Sequence, residues 1–107
     1  MESNLLIDSL QIISKTSLEQ KSFIRSLFKH QNYDNLDEIL LSYEDAKYLI
    51  NVDLRYFRYK EKFDELNKII DEIDDNELYS FSSLDDPIWN KARKKANEIL
   101  HILESQI

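Results

Sequence analysis

Seven carboxylates lie close together between positions 71 and 86, and clustered carboxylates can bind Ca²⁺ or a cationic protein. The residues are Asp71, Glu72, Asp74, Asp75, Glu77, Asp85 and Asp86. A calcium loop that begins at Asp71 needs an oxygen ligand at its third position, where the chain has Ile73. A loop that begins at Asp74 meets Leu78 and has no glycine for its sharp turn. The spacing therefore excludes calcium and leaves a solvated loop or a negative docking surface for a protein, to which Tyr79 and Phe81 would add apolar anchors. We take the docking surface as the functional interpretation, with the Tyr48–Tyr59 face as the alternative contact.

Two further side chains that could bind a metal, Glu98 and His101, have the spacing of half a di-iron carboxylate motif. The other half of that motif is missing, so we expect both residues to lie on a solvated helix face. The chain has no cysteine and no glycine, which excludes thiolate metal sites, a cysteine nucleophile and the glycine-dependent phosphate loops. Scattered serines and histidines do not define a catalytic triad. We therefore predict a binding protein without a cofactor, not an enzyme.

Basic and aromatic residues are interleaved between Arg55 and Phe63, and this combination can bind single-stranded nucleic acid by phosphate contact and base stacking. Most of the aromatic residues fall on a heptad repeat, however, where we expect them to be buried. Acidic residues three and four positions away would pair with the basic ones along a helix. The interpretation favoured here is a folded helix with no nucleic-acid partner.

The elements that carry these residues are predicted to be helices, because the chain has no glycine and only one proline. The first helix starts after Ser3 and ends near Ser14, and Thr16 with Glu19, or Ser17 with Gln20, forms a capping box for the second. A turn is predicted over 32–35, and 78–84 is predicted to be a connecting loop. Asp86 and Pro87 are predicted to be the N-cap and first residue of the last helix. The inner face of that helix is expected to consist of Trp89, Ala92, Ala96, Ile99 and Leu103.

The strongest periodic signal predicts one long helix from about Tyr43 to about Asp74. Two heptad series run through it: Leu49, Tyr56, Phe63 and Ile70, and three positions later Val52, Tyr59, Leu66 and Ile73. Asn51 is the one candidate for a break. We therefore expect an all-α, single-domain bundle over 1–107, with four to five helices and one long central helix. Because tyrosine suits a two-stranded coiled coil poorly, other helices should cover this seam and leave a monomer.

Net charge sets the expected class of partner. The formal charge is −7, and an acidic excess repels nucleic acid and anionic membranes while it attracts basic proteins. The first residues lack the basic region of a signal peptide, and no apolar run approaches the length of a membrane span. These features predict a cytoplasmic protein with no membrane partner.

In size, acidity, helicity and composition the whole chain resembles the small acidic helical immunity proteins of bacterial toxin–immunity systems. The resemblance includes no diagnostic motif, so it assigns no residue a role. It implies a stoichiometric inhibitor that binds a basic toxin domain, such as a nuclease, and blocks its active site. Two alternatives stay open: a phage-encoded inhibitor of a host defence complex, and a self-associating helical protein with a structural or regulatory role.

Overall fold

Helices form nearly all of the structure, a computed structural model that describes residues 5–27, 37–79 and 81–105. The helices are α1 (Leu5–Ser14), α2 (Ser17–Leu27), α3 (Asp37–Ala46), α4 (Leu49–Val52), α5 (Leu54–Phe57), α6 (Lys60–Asp75) and α7 (Pro87–Glu104). No strand occurs in these ranges, so the predicted all-α class is confirmed. Five of the helices have ten residues or more, and α4 and α5 are single turns. The turn predicted over 32–35 lies outside the described residues.

The core forms where the apolar stripes of four helices meet. Helix α1 packs against both α3 and α7, and α6 packs against α7. Trp89 of α7 is completely buried, and its indole Nε1 donates a hydrogen bond of 2.9 Å to the carbonyl oxygen of Leu78. All five residues predicted for the inner face of α7 are buried. Ala92 and Ala96 carry the smallest side chains of that face, which permits close approach of a neighbouring helix.

Helix ends were the most predictable local features. Glu19 accepts a hydrogen bond from the Thr16 amide at 3.0 Å, and the Glu19 amide donates to Thr16 Oγ1 at 3.2 Å, which confirms the capping box. The Thr16 amide and the Thr16 hydroxyl both donate to Glu19 Oε1 and so lower the pKa of the Glu19 carboxyl. Asp86 accepts a hydrogen bond from the Ile88 amide at 3.0 Å, with Pro87 as the first helical residue. Within the predicted connection 78–84, the structure adds a short 3-10 helix, Phe81–Asp85.

A buried glutamine joins three elements. Gln20 of α2 is fully buried, and its Nε2 donates to the carbonyl oxygens of Ile12 and Ile13, at 3.2 and 3.0 Å, at the end of α1. Arg93 of α7 donates from Nη1 to Gln20 Oε1 at 2.9 Å and from Nη2 to the Leu84 carbonyl oxygen at 2.8 Å. The side chain of Gln20 therefore satisfies carbonyls that the end of a helix leaves without intrahelical partners.

The predicted long central helix is wrong, because the chain between Tyr43 and Asp74 is divided into α3, α4, α5 and α6. One break is at Asp53, whose backbone is extended (φ −114°, ψ 118°). Its carboxylate caps α5 by accepting from the Arg55 amide at 2.9 Å, and it lies 2.7 Å from the Arg55 guanidinium. Aspartate competes with the helical backbone in this way and favours caps over helix interiors. Asn51, the candidate for a break in the predicted continuous helix, lies inside α4.

The break changes which side chains of the heptad series are buried. Phe63, Leu66, Ile70 and Ile73, all on α6, are buried as predicted. Val52 was expected on the same seam and is instead 70% exposed, because the chain changes direction immediately after it. The heptad pattern therefore describes α6 and the buried Tyr56 correctly and fails at Val52, while Leu49 and Tyr59 are partly buried against the core.

Candidate functional site

The carboxylates singled out in the sequence lie at the end of the bundle where α6 passes to α7, and we call this set the acidic junction. It comprises Asp71, Glu72, Asp74, Asp75, Glu77, Asp85 and Asp86, of which all but the half-buried Asp86 are exposed. The last turn of α6 contains no basic residue. Because the C-terminal end of a helix carries partial negative charge, these carboxylates add to it and raise the electrostatic energy of the free protein.

Helix α6 ends at this junction in a Schellman motif. The Leu78 amide donates to the Ile73 carbonyl oxygen at 3.1 Å, and the Glu77 amide donates to the Asp74 carbonyl oxygen at 3.1 Å. Glu77 stands at the position that such motifs usually give to glycine, and its φ is 51°. A side chain in this left-handed conformation costs about 1–2 kcal/mol, so the junction holds a carboxylate at a strained position.

Replacing Glu77 with glycine should stabilise the protein by about 1 kcal/mol, because glycine adopts the left-handed conformation without the clash of a Cβ atom. Urea denaturation followed by circular dichroism measures the change. Glu77→Ala is the matched control, since it removes the same charge and keeps the Cβ atom. If alanine stabilises as much as glycine, repulsion among the carboxylates and not backbone strain is the source of the gain.

The two aspartates on the far side of the connection have different surroundings. Asp86 caps α7, so part of its hydrogen-bonding capacity serves the fold. Asp85 is exposed and lies 3.5 Å from Lys21 Nζ of α2. The hydrogen bond from Trp89 to Leu78 holds the end of α6 beside the first turn of α7. The structure thereby brings both groups of carboxylates to one end of the α6–α7 pair.

The predicted apolar anchors of the junction are only partly available. Tyr79 is half-buried and packs against the hydrophobic core. The backbone of Phe81 belongs to the 3-10 helix, and its side chain lies outside the described part of the structure. Tyr79 therefore gives the acidic junction only a partly exposed apolar side chain.

Exposed apolar side chains are concentrated on α4 and α5, and we call Tyr48, Val52, Leu54 and Phe57 the apolar corner. Their exposed fractions are 58%, 70%, 80% and 49%. Tyr48 and Val52 are four positions apart, and Leu54 and Phe57 are three apart, so each pair shares one helix face. Sequence reasoning gave the Tyr48–Tyr59 face only as an alternative contact, because it assigned Val52 to the buried seam. The available signal was Asp53, an N-cap residue in the middle of an apolar run.

A groove of about 580 Å³ lies beside the apolar corner, between α6 and the segment from α3 to α4. Tyr48 lines this groove, so the corner and the groove share a side chain. Its lining includes four carboxylates and two lysines: Glu44, Asp45, Asp64, Asp71, Lys47 and Lys60. Lys47 lies 2.8 Å from Glu44, and Lys60 lies 3.2 Å from Asp64. Asp71 connects the groove to the acidic junction.

The remaining sequence candidates, Glu98 and His101, have different surroundings. Glu98 accepts ion pairs from Lys62 of α6 at 2.7 Å and from Lys95 at 3.1 Å, and these lysines lower the pKa of its carboxyl. His101 is exposed. Over 5–27, 37–79 and 81–105, no group of three or more histidine or acidic side chains is placed to hold a metal ion.

The aromatic residues of the Arg55–Phe63 stretch are divided between core and surface. Tyr56 and Phe63 are buried in an edge-to-face contact with ring centroids 6.3 Å apart, so neither ring offers a free face for base stacking. Phe57, between them in sequence, belongs to the apolar corner.

None of the helices in the described ranges is long and apolar enough to cross a membrane.

Comparison with known proteins does not place this chain in a family. No protein-family model, no curated protein and no solved structure matches this chain significantly.

Proposed function

We propose that this chain is a toxin-neutralising immunity protein, a stoichiometric inhibitor that acts in the cytoplasm and binds a cationic toxin domain such as a nuclease. The observation that carries the proposal is the acidic junction. Its exposed carboxylates crowd the negative end of α6, where they repel one another. A basic partner relieves this repulsion, whereas the clustered charges add no stability to the free protein. The chain then acts by occupying or distorting its partner's active site.

The mechanism begins with electrostatic steering. Surface carboxylates attract a basic domain over distances up to about the Debye length, roughly 8 Å at physiological ionic strength, and so raise the association rate. Such charges control the rate of encounter more than the lifetime of the complex. The fold also favours a binder over the self-associating alternative, because Phe63, Leu66 and Ile70 of the heptad seam are already buried within one chain.

Reversing Asp74 and Asp75 to lysine should slow association with the toxin by about tenfold at low salt, because the reversal removes the steering field where it is densest. The free energy of unfolding should not fall, since lysine at the end of α6 interacts favourably with the helix dipole. The measurement is stopped-flow association at two salt concentrations. The partner is the product of the gene adjacent to the one that encodes this chain.

Asp8→Lys with Glu104→Lys is the matched control, because it changes the net charge equally and lies on exposed positions of α1 and α7. The proposal requires that this control retain most of the rate. Equal slowing by both double variants would assign the effect to net charge and not to the acidic junction. If wild-type protein neither binds the adjacent gene product nor protects cells from it, the proposed function is wrong.

A further inference from the structure

The apolar corner is the largest departure of this molecule from an ordinary helical surface. Four of the seven large hydrophobic residues that are exposed in the described chain fall within ten positions, 48–57. Single exposed leucines are common on protein surfaces, whereas clustered ones mark interaction sites. Helices α4 and α5 each bury only one side chain, Ile50 and Tyr56. The two helices thus leave Val52, Leu54 and Phe57 about half exposed or more.

Charge in the adjoining groove indicates what kind of partner fits. Lys47 and Lys60 are already paired with Glu44 and Asp64, so these four charges balance. Asp45 and Asp71 also line the groove and form no ion pair with another described residue. On the corner itself, the Arg55 guanidinium is neutralised by the Asp53 carboxylate at 2.7 Å. The groove therefore keeps an excess of two carboxylates, directly beside exposed apolar side chains.

We infer that the apolar corner and its groove are the docking surface for a cationic segment of a protein partner. A lysine or arginine of that segment enters the groove near Asp45 and Asp71, and apolar side chains next to it cover Val52, Leu54 and Phe57. The inference rests on the proposed function, because the segment belongs to the same basic toxin domain. It goes further by assigning the buried centre of the contact to α4 and α5 instead of to the acidic junction.

A second copy of this chain is the less favourable occupant. In a two-fold dimer the same patch faces itself, so Asp45 and Asp71 of one copy would approach those of the other. Like charges brought together and desolvated oppose such an interface. A cationic segment gains from the same carboxylates. Asp71 and Asp75, four positions apart on one face of α6, carry charge from the groove to the acidic junction, so the two surfaces are continuous.

The test uses the full chain, labelled with ¹⁵N, and three synthetic amphipathic peptides. The first peptide combines lysine and leucine, the second replaces leucine with serine, and the third replaces lysine with glutamate. The lysine–leucine peptide should shift the amide signals of 48–57 together with those of Asp45 and Asp71. Both other peptides should bind at least about tenfold more weakly, since each lacks one half of the recognition.

Matched variants decide whether the corner itself binds the peptide. Leu54→Ser should weaken the lysine–leucine peptide by about tenfold, whereas Leu18→Ser should not. These leucines are 80% and 76% exposed, on α5 and α2, so each substitution removes the same chemistry from a similar surface. Asp71→Asn should weaken the peptide as well. Circular dichroism of each variant checks that the fold is kept.

Several results would overturn the inference. They are shifts confined to the acidic junction, equal binding of the lysine–serine peptide, full affinity in Leu54→Ser, no binding of the lysine–leucine peptide, or corner signals that move with protein concentration alone. None of these depends on the adjacent gene product. A wild-type protein that binds the peptide at the corner but not that product would refute the proposed toxin partner and leave the docking surface intact.

Discussion

Replacing Phe63 with alanine should lower the free energy of unfolding by about 3–5 kcal/mol, the cost expected when a fully buried aromatic side chain is truncated. Phe63 is completely buried on α6, and its ring meets the edge of Tyr56 of α5. The substitution removes apolar burial, leaves a cavity and deletes an aromatic pair worth about 0.5–1.5 kcal/mol by itself. Urea denaturation monitored by circular dichroism measures the loss.

Phe57→Ala is the matched control for Phe63→Ala, because the same side chain is 49% exposed there. We expect Phe57→Ala to cost less than about 1 kcal/mol. If Phe63→Ala does not fold, Phe63→Leu provides a milder change, expected to cost about 1 kcal/mol. A loss below about 1 kcal/mol for Phe63→Ala would show that the inner face of α6 is solvated in solution.

Replacing Gln20 with leucine should destabilise the protein by about 2–4 kcal/mol, although leucine is apolar and of similar size. Leucine cannot donate to the carbonyl oxygens of Ile12 and Ile13 or accept from Arg93, so the Ile13 carbonyl oxygen and Arg93 Nη1 lose a hydrogen-bond partner, while Ile12 keeps the Lys15 amide. Each buried polar group left unsatisfied costs about 1–3 kcal/mol. Denaturant unfolding measures the change, and Gln11→Leu, at an exposed position of α1, should change stability by less than about 0.5 kcal/mol.

A double variant shows how much of the stability lost in Gln20→Leu comes from the hydrogen bond between Arg93 and Gln20. Arg93→Met removes the donor to Gln20 Oε1. The stability losses of the two single variants should therefore sum to more than the loss in the double variant. Strict additivity would mean that the 2.9 Å contact between these side chains contributes nothing to stability. In that case the cost of Gln20→Leu would come from the lost bonds to the Ile12 and Ile13 carbonyl oxygens and from packing.

Local side-chain chemistry accounts for what the sequence predicted correctly. Thr16 with Glu19 and Asp86 with Pro87 satisfy helix ends through neighbours in sequence, so their roles follow from residue type and spacing. The inner face of α7 follows from helical periodicity in the same way. Distant contacts had no such signal, and the bond between Gln20 and Arg93 joins residues that no pattern relates.

Competition between two local signals explains the main error. The heptad series favoured a continuous helix through Asp53, whereas the capping capacity of that aspartate favoured a new helix start. Capping prevailed, and Val52 moved from the expected seam to the surface. The acidic junction could be found from composition because charge density is visible in a sequence. The apolar corner was harder to find, since its exposure depends on where the chain turns and Asp53 was the available signal for that turn. The left-handed Glu77 was equally hidden, because no glycine marks that position.

The single-turn helices α4 and α5 have a consequence for how the protein opens. Each is held by one buried side chain, so this segment can unfold locally at a lower free energy than α6 or α7, which bury whole stripes. Backbone amides of 49–57 should therefore exchange with deuterated solvent long before those of α7. A partner seated on the apolar corner must order this segment, and that entropic cost is taken from the binding free energy. The same looseness would let the apolar corner adjust its shape to the partner that docks there.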